Sequence, residues 1–227
     1  MENFGLYKKL INLPLFVGMG RDELEQIIAH TKFNFIKIKN GNNIVEEGEK
    51  NGQLLLLVDG EIEMETHAHD NGYTVYEYLK APYMLQPERT FGLTQRYSST
   101  IKALTTCSLI CIDKNETLRL TSDSLIFRLN LFNIISTALQ KQIRQGWRSV
   151  PQSLNHRIVR FVLSHCTHPA GRKIFKIKMN RLAGELNDSR LHISQALNSL
   201  ADQGLMILSR GKIEIPSVEQ LARSVIS

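Results

Sequence analysis

Apolar and polar positions change rhythm along the chain, and each rhythm predicts a different element. Positions 13 to 30, Leu13-Pro14-Leu15-Phe16 and then Met19 to Ile28, read as a short helical opening with Asp22 and Glu23 crowding its first turn, as the helix dipole prefers. From Phe33 to Asp113 the period is two. Phe33, Phe35, Ile36 and Ile38 run into the turn Asn40-Gly41-Asn42, and Leu54 to Val58 ends at Asp59-Gly60. Ile62, Met64 and Thr66 alternate with Glu61, Glu63 and Glu65, Asp70-Asn71-Gly72 is a hairpin signal before Tyr73, Val75 and Tyr76, and Ile101 to Ile112 is a last strand. Many short strands with glycine turns predict an antiparallel roll or barrel.

A helical period follows. Ser122 or Asp123 is a suitable N-cap, and Ser124 to about Gln145 contains neither glycine nor proline. Leu125, Leu129, Phe132, Ser136, Leu139 and Ile143 form a coiled-coil-like seam, and Phe127, Leu131, Ile134 and Ala138 form a second stripe. One stripe can lie on the chain's own roll and the other on a second copy. The alternative is a helix buried inside a monomer. Gly146 to Gln152 carries a boundary.

Beyond it, Ile158, Phe161, Val162 and His165 share a helical face, and Ile174, Phe175 and Ile177 make a short strand flanked by Arg172, Lys173, Lys176 and Lys178. Asn180 to Leu186 is a short helix with Leu182 and Leu186 on one side. Asn187-Asp188 is a tight turn, and Ser189 caps a second helix whose apolar positions are Ile193, Ala196, Leu197 and Leu200, stopped by Gly204. Two helices joined so tightly, with Ala183 and Gly184 at the closest approach, predict a helix-turn-helix. Ile207 to Ile215 then reads as a two-stranded wing with Arg210 and Lys212 at its tip.

Charge sharpens that reading. The net charge of the chain is +6, but Trp147 to the end holds 12 Lys/Arg against 5 Asp/Glu while the first 146 residues are nearly balanced. Plain surface basicity is the bland explanation, and a polyanion partner for the last third is the sharper one. With the core face assigned, Arg190, Leu191, His192, Gln195 and Asn198 are left outward, and Arg, His, Gln and Asn can hydrogen-bond base edges. Ser189 and the helix N-terminus suit a phosphate, as do Lys178, Arg210 and Lys212, and Asn180 completes the expected DNA-binding set.

Other chemistry is thin. Cys107 and Cys111 would stand about 13 Å apart on one side of a strand, too far for a disulfide. Four metal ligands at suitable spacing are missing, and His165-Cys166-Thr167-His168 reads as a loop. No P-loop, GxSxG, HExxH or dinucleotide fingerprint occurs, so neither catalysis nor a cofactor is expected. No apolar run reaches the ~18 residues of a membrane span, and no secretory signal opens the chain, so a cytoplasmic protein is expected.

The order of roll, long helix and winged helix-turn-helix resembles the family of the cyclic-AMP receptor protein and FNR regulators. Leu13-Pro14-Leu15-Phe16, Gly41 to Glu49, Val58-Asp59-Gly60-Glu61-Ile62 and Ser189-Arg190 to Asp202-Gln203-Gly204-Leu205 carry the likeness. The resemblance implies an α+β chain: a cyclic-nucleotide-binding-like roll over 1–121, a dimerisation helix over 122–146 and a DNA-binding domain over 147–227. It also implies double-stranded DNA, a second copy, RNA polymerase and a small-molecule effector as partners. Arg190 and Gln195 fall where the family reads bases, although the family often has Glu at Leu191 and Arg at Gln195. The family's effector cassette carries a Gly-Glu pair for the ribose and Arg-Ser or Arg-Thr for the cyclic phosphate. Here Tyr97-Ser98 falls in the second slot and Gln86-Pro87-Glu88 near the first, with Arg89 and Arg96 nearby. A tyrosine cannot replace a bidentate guanidinium, so the effector is expected not to be cyclic AMP. A cyclic-nucleotide-responsive regulator with a divergent cassette is the alternative.

Overall fold

The computed structural model describes residues 2–147, 149 and 151–224, which divide into two compact units. The first comprises Met1–Ile62 and Lys80–Gly146, the second Glu63–Leu79 and Trp147–Ser227.

The chain opens with α1 (Glu2–Leu10), a 3-10 turn at Pro14–Phe16 and α2 (Arg21–His30). Sequence pattern suggested one helical opening from position 13; α1 lies before it, and Gly18 at φ +85° separates the two later pieces. Strands β1 (Asn34–Ile38), β2 (Asn43–Val45), β3 (Gln53–Asp59), β4 (Glu61–His67), β5 (Tyr73–Lys80), β6 (Tyr83–Leu85), β7 (Thr100–Ala103) and β8 (Cys107–Asp113) follow. The single strand expected over 101–112 is therefore two, broken at 104–106. In the first unit β1, β8, β3 and β6 form one antiparallel sheet and β2 pairs with β7. Leu54 and Leu56 of β3 and Ile110 and Ile112 of β8 face the helices, while Leu55 and Leu109 take the opposite side. The β3–β4 turn needs its glycine: at Gly60 φ is +105°, and a Cβ would lie 2.8 Å from the Cys107 sulfur.

Two helices close this unit, α3 (Lys114–Asp123) and α4 (Leu125–Gly146). The N-cap expected at Ser122 or Asp123 lies inside α3, whose own cap is Asp113, accepting from the Glu116 N–H. The start of α4 is held by Ser124, whose hydroxyl accepts from the Phe127 N–H and donates to Glu23 at 2.6 Å. Phe127 and Leu131 are buried against Phe16 and the opening helices, as the second stripe requires. The other stripe is open, with Leu125, Leu129, Phe132, Leu139 and Ile143 each between 49% and 58% exposed.

The second unit contains α5 (Leu154–Ser164), β9 (Lys173–Ile177), α6 (Met179–Leu186), α7 (Arg190–Asp202), β10 (Ile207–Ser209), β11 (Lys212–Ile215) and α8 (Val218–Arg223). Ile158, Val162, Leu182, Leu186, Ile193, Leu197 and Leu200 share its core. Its sheet runs β10-β11-β9-β5-β4, so the 63–79 hairpin is built into the unit that holds the helix-turn-helix. Five residue pairs, from Tyr73↔Ile177 to Glu77↔Lys173, join β5 to β9. Lys173, one of the basic residues of this strand, is wholly buried. Its ammonium lies 3.3 Å from the Glu77 carboxylate and donates to the Ala170 carbonyl. A charge removed from water requires such partners.

Candidate DNA-binding surface and effector cavity

The N-terminus of α7 is fixed by a chain of polar contacts. Ser189 Oγ accepts from the His192 N–H at 3.1 Å. Asp188 accepts from the Ser189 N–H at 2.7 Å, from His192 Nδ1 at 2.9 Å and from the Arg157 guanidinium. These donors hold the Asp188 carboxyl below its ordinary value, His192 contributing most. The turn before α7 depends on Asn187 at φ +47°, a left-handed conformation that asparagine tolerates better than most residues. The orientation of α7 is thus set both by its core face and by its cap.

Arg190, Leu191, His192, Gln195 and Asn198 are all exposed on α7. Among the described residues Arg190 has no hydrogen-bond or ionic partner, whereas His192 has its Nδ1 committed to Asp188. Lys178 and Asn180 are exposed at the start of α6. The wing is the β10–β11 hairpin with Arg210-Gly211 at its tip, Gly211 adopting φ +70°. Arg210 is exposed, but Lys212 bonds Glu214 at 2.9 Å, and Glu214 also binds Arg172. The charge of Lys212, expected to meet a phosphate, is therefore partly neutralised within the wing, a restraint that its sequence neighbourhood did not reveal. Arg181 is likewise committed, to Asp70 at 2.8 Å and Glu185 at 2.7 Å.

The residues expected to form an effector cassette lie in the first unit. Tyr97 is only 4% exposed, and burial, with Glu49 nearby, raises its phenol well above the ordinary value. It lines a cavity of about 280 Å³ together with Ile36, Ile38, Ile44, Val45, Leu55 and Leu109, and with Glu49, Lys50 and Gln53 as its polar members. Arg96 is turned elsewhere, its guanidinium donating to the Gly48 carbonyl at 2.7 Å. Glu88 is exposed, and Arg89 is half-buried with its Nε unbonded among the described residues. Gln86, which the sequence reading placed near the first slot without giving it a role, ties these segments together. Gln86 sits at φ +41°, its side-chain oxygen accepts from the Ser98 N–H at 2.9 Å, and its amide donates to Ser99 Oγ at 3.0 Å. The backbone donor at Ser98 is consequently already occupied by the chain's own carboxamide.

Cys107 and Cys111 are buried free thiols, Cys111 pushed up to about 11 by burial. In the 165–168 stretch, His165 bonds the Tyr73 hydroxyl at 2.7 Å, and Cys166 donates to the Val162 carbonyl. Among the described residues no helix is long and apolar enough to cross a membrane.

Residues 35–124 match the model of the cyclic nucleotide-binding domain, and residues 156–224 match the Crp-like helix-turn-helix domain. The catabolite activator protein of Thermus thermophilus is similar in structure at 17% identity and a TM-score of 0.50, over 94% of this chain and 98% of that one. The sensor domain of the transcriptional regulator DNR from Pseudomonas aeruginosa is similar at 19% identity and a TM-score of 0.53, over 67% of this chain and 99% of that one. No curated protein matches the sequence.

Proposed function

Since this chain belongs to the Crp/Fnr family of DNA-binding transcription regulators, we propose that it acts as a homodimer on an inverted-repeat operator, under an effector other than cyclic AMP. The carrying observation is the exposed face of α7, with an unengaged Arg190 beside Gln195 and Asn198 on a helix whose opposite face is locked into the core. Two such helices related by a two-fold axis would enter successive major grooves about 34 Å apart. Arg190 reads a guanine through O6 and N7, with Leu191, His192, Gln195 and Asn198 on the same base-facing surface. Lys178, Asn180, Ser189, Arg210 and Lys212 hold phosphates.

The functional division follows as sensing over 1–121, dimerisation over 122–146 and DNA binding over 147–227. The open α4 stripe of Leu125, Leu129, Phe132, Ser136, Leu139 and Ile143 supports a second copy as a partner. The Tyr97-lined cavity supports a small-molecule effector; of the cassette residues Glu88, Arg89, Arg96, Tyr97 and Ser98, it is Tyr97 that lines it. A cyclic phosphate would have to displace the Gln86 carboxamide from Ser98 and would meet the neutral Tyr97 phenol in place of a guanidinium. RNA polymerase is the further partner of this reading, and the cytoplasm its place of action.

Selection of bound duplexes from random DNA, followed by Arg190→Ala and Lys178→Ala, tests the assignment. Arg190→Ala should lose ~1–3 kcal/mol on the selected duplex with relaxed discrimination at one position, while Lys178→Ala should weaken selected and scrambled duplexes alike. Equal losses for both variants on both duplexes would make Arg190 a phosphate contact only.

A further inference from the structure

Leu191 is the second residue of α7 and is 66% exposed. It lies two residues, about 200° of helical turn, from Ile193, which is wholly buried. Leu191, Gln195 and Asn198 are spaced i, i+4, i+7, so they share the face opposite the core row of Ile193, Leu197 and Leu200. A lone exposed leucine on a surface is unremarkable by itself. This one stands in the first turn of the recognition helix, the part that meets base edges, between side chains that carry hydrogen-bonding groups. Its backbone is also fixed, because Ser189 and Asp188 tie down His192, the residue that follows it.

We propose that Leu191 specifies one operator position by packing against the C5 methyl group of a thymine. The inference rests on the DNA-binding reading above and adds the identity of a base to it. Leucine carries neither a donor nor an acceptor, so it cannot distinguish bases through their hydrogen-bonding edges. The apolar group that the major groove offers is the thymine methyl. Any base without it leaves the leucine against polar edges that need water or a partner, so discrimination arises from both the gain at thymine and the loss elsewhere. Because the cap already fixes the backbone here, less conformational freedom is left to be lost on binding.

Replacing thymine by uracil deletes that methyl and leaves every hydrogen-bonding group in place. The operator duplex recovered by selection from random DNA is therefore bound with each half-site thymine replaced in turn by uracil. One thymine per half-site should show about a four-fold loss of affinity for the wild-type chain, the worth of one buried methyl-sized group. Leu191→Ala, an exposed change that should leave thermal unfolding unaltered, should bind the thymine and uracil duplexes equally. If no replacement weakens the wild-type chain, or if Leu191→Ala keeps the same preference for thymine, Leu191 does not read the methyl. Persistence of the preference in the variant would assign it to another side chain or to the shape of the duplex. A selection that enriches no sequence removes the DNA-reading assignment as a whole, whereas an enriched sequence indifferent to the methyl removes only the role of Leu191.

Discussion

Lys173→Met should be among the most damaging single substitutions in the second unit. Lys173 is wholly buried and Glu77 only 2% exposed, and each satisfies the other across the β5–β9 pairing at 3.3 Å. Removing one partner of a buried ion pair costs ~3–5 kcal/mol, because the remaining charge is left without compensation. The Glu77 carboxylate would keep two donors, the Thr167 N–H at 2.7 Å and the His168 N–H at 3.2 Å. The loss should therefore fall toward the lower end, about 3 kcal/mol. Against a total stability of ~5–15 kcal/mol that is a large fraction, and with a urea slope of ~2 kcal/mol/M it moves the midpoint down by about 1.5 M.

The double variant Glu77→Gln/Lys173→Met separates charge from packing. Glutamine still offers an oxygen to the Thr167 and His168 amides while no buried charge remains, so most of the stability should return. Urea unfolding followed by far-ultraviolet circular dichroism gives the midpoints, and hydrogen exchange at the β9 amides locates the loss. A Lys173→Met midpoint indistinguishable from wild type would refute the reasoning, since it would mean that water reaches the pair. A double variant as unstable as the summed single variants would show that volume, not charge, governs the position.

Phe132→Glu with Leu139→Glu should give monomers in sedimentation equilibrium, since two carboxylates would be desolvated on the open α4 stripe; a surviving dimer would place the interface elsewhere. Gly60→Ala should lower the thermal midpoint of the first unit, because the added carbon meets the Cys107 sulfur at 2.8 Å and the Thr106 carbonyl at 2.9 Å at φ +105°; an unchanged midpoint would contradict that close approach. The depressed Asp188 carboxyl contributes stability that is full above the ordinary carboxylate range near ~3.9 and is lost as pH falls through its lower folded value. Asp188→Asn should accordingly be less stable at neutral pH yet lack that increment of acid sensitivity, as read by helical circular dichroism between neutral and strongly acidic pH.

Much of the fold was legible because period and punctuation agreed. The alternation from Phe33 to Asp113 and the Asp70-Asn71-Gly72 turn predicted strands that the structure contains, Asp70 accepting from the Gly72 N–H as such turns do. The two stripes of α4 were visible as spacing, and they separate in fact into a buried row and an open one. Short elements were harder. The helix α3 reads poorly because Asn115, Thr117, Thr121 and Ser122 are weak helix formers, and its cap at Asp113 closes what pattern alone assigns to a strand. Nor does any local signal announce that β5 pairs with β9, about a hundred residues away, since an alternating strand is equally suited to either neighbour.

The same limit divides the two functional regions. Most of the proposed DNA-facing surface is local: one cap, one helix period and one hairpin fix which side chains of α7 and the wing point outward, so spacing alone was enough to place Arg190, Leu191 and Gln195 on the exposed face. The cassette is not local. Whether a backbone N–H at Ser98 is free for an anion depends on where the side chain of a residue twelve positions earlier turns, and that depends on the left-handed backbone at Gln86. A glycine there would have no side chain with which to fill the slot. Glutamine brings its own acceptor, at the local cost of a backbone conformation that few residues adopt readily. The Gln86 side chain thus occupies the Ser98 N–H with an internal hydrogen bond. Any effector of this chain must find its affinity in the apolar lining around Tyr97 or compete with that bond.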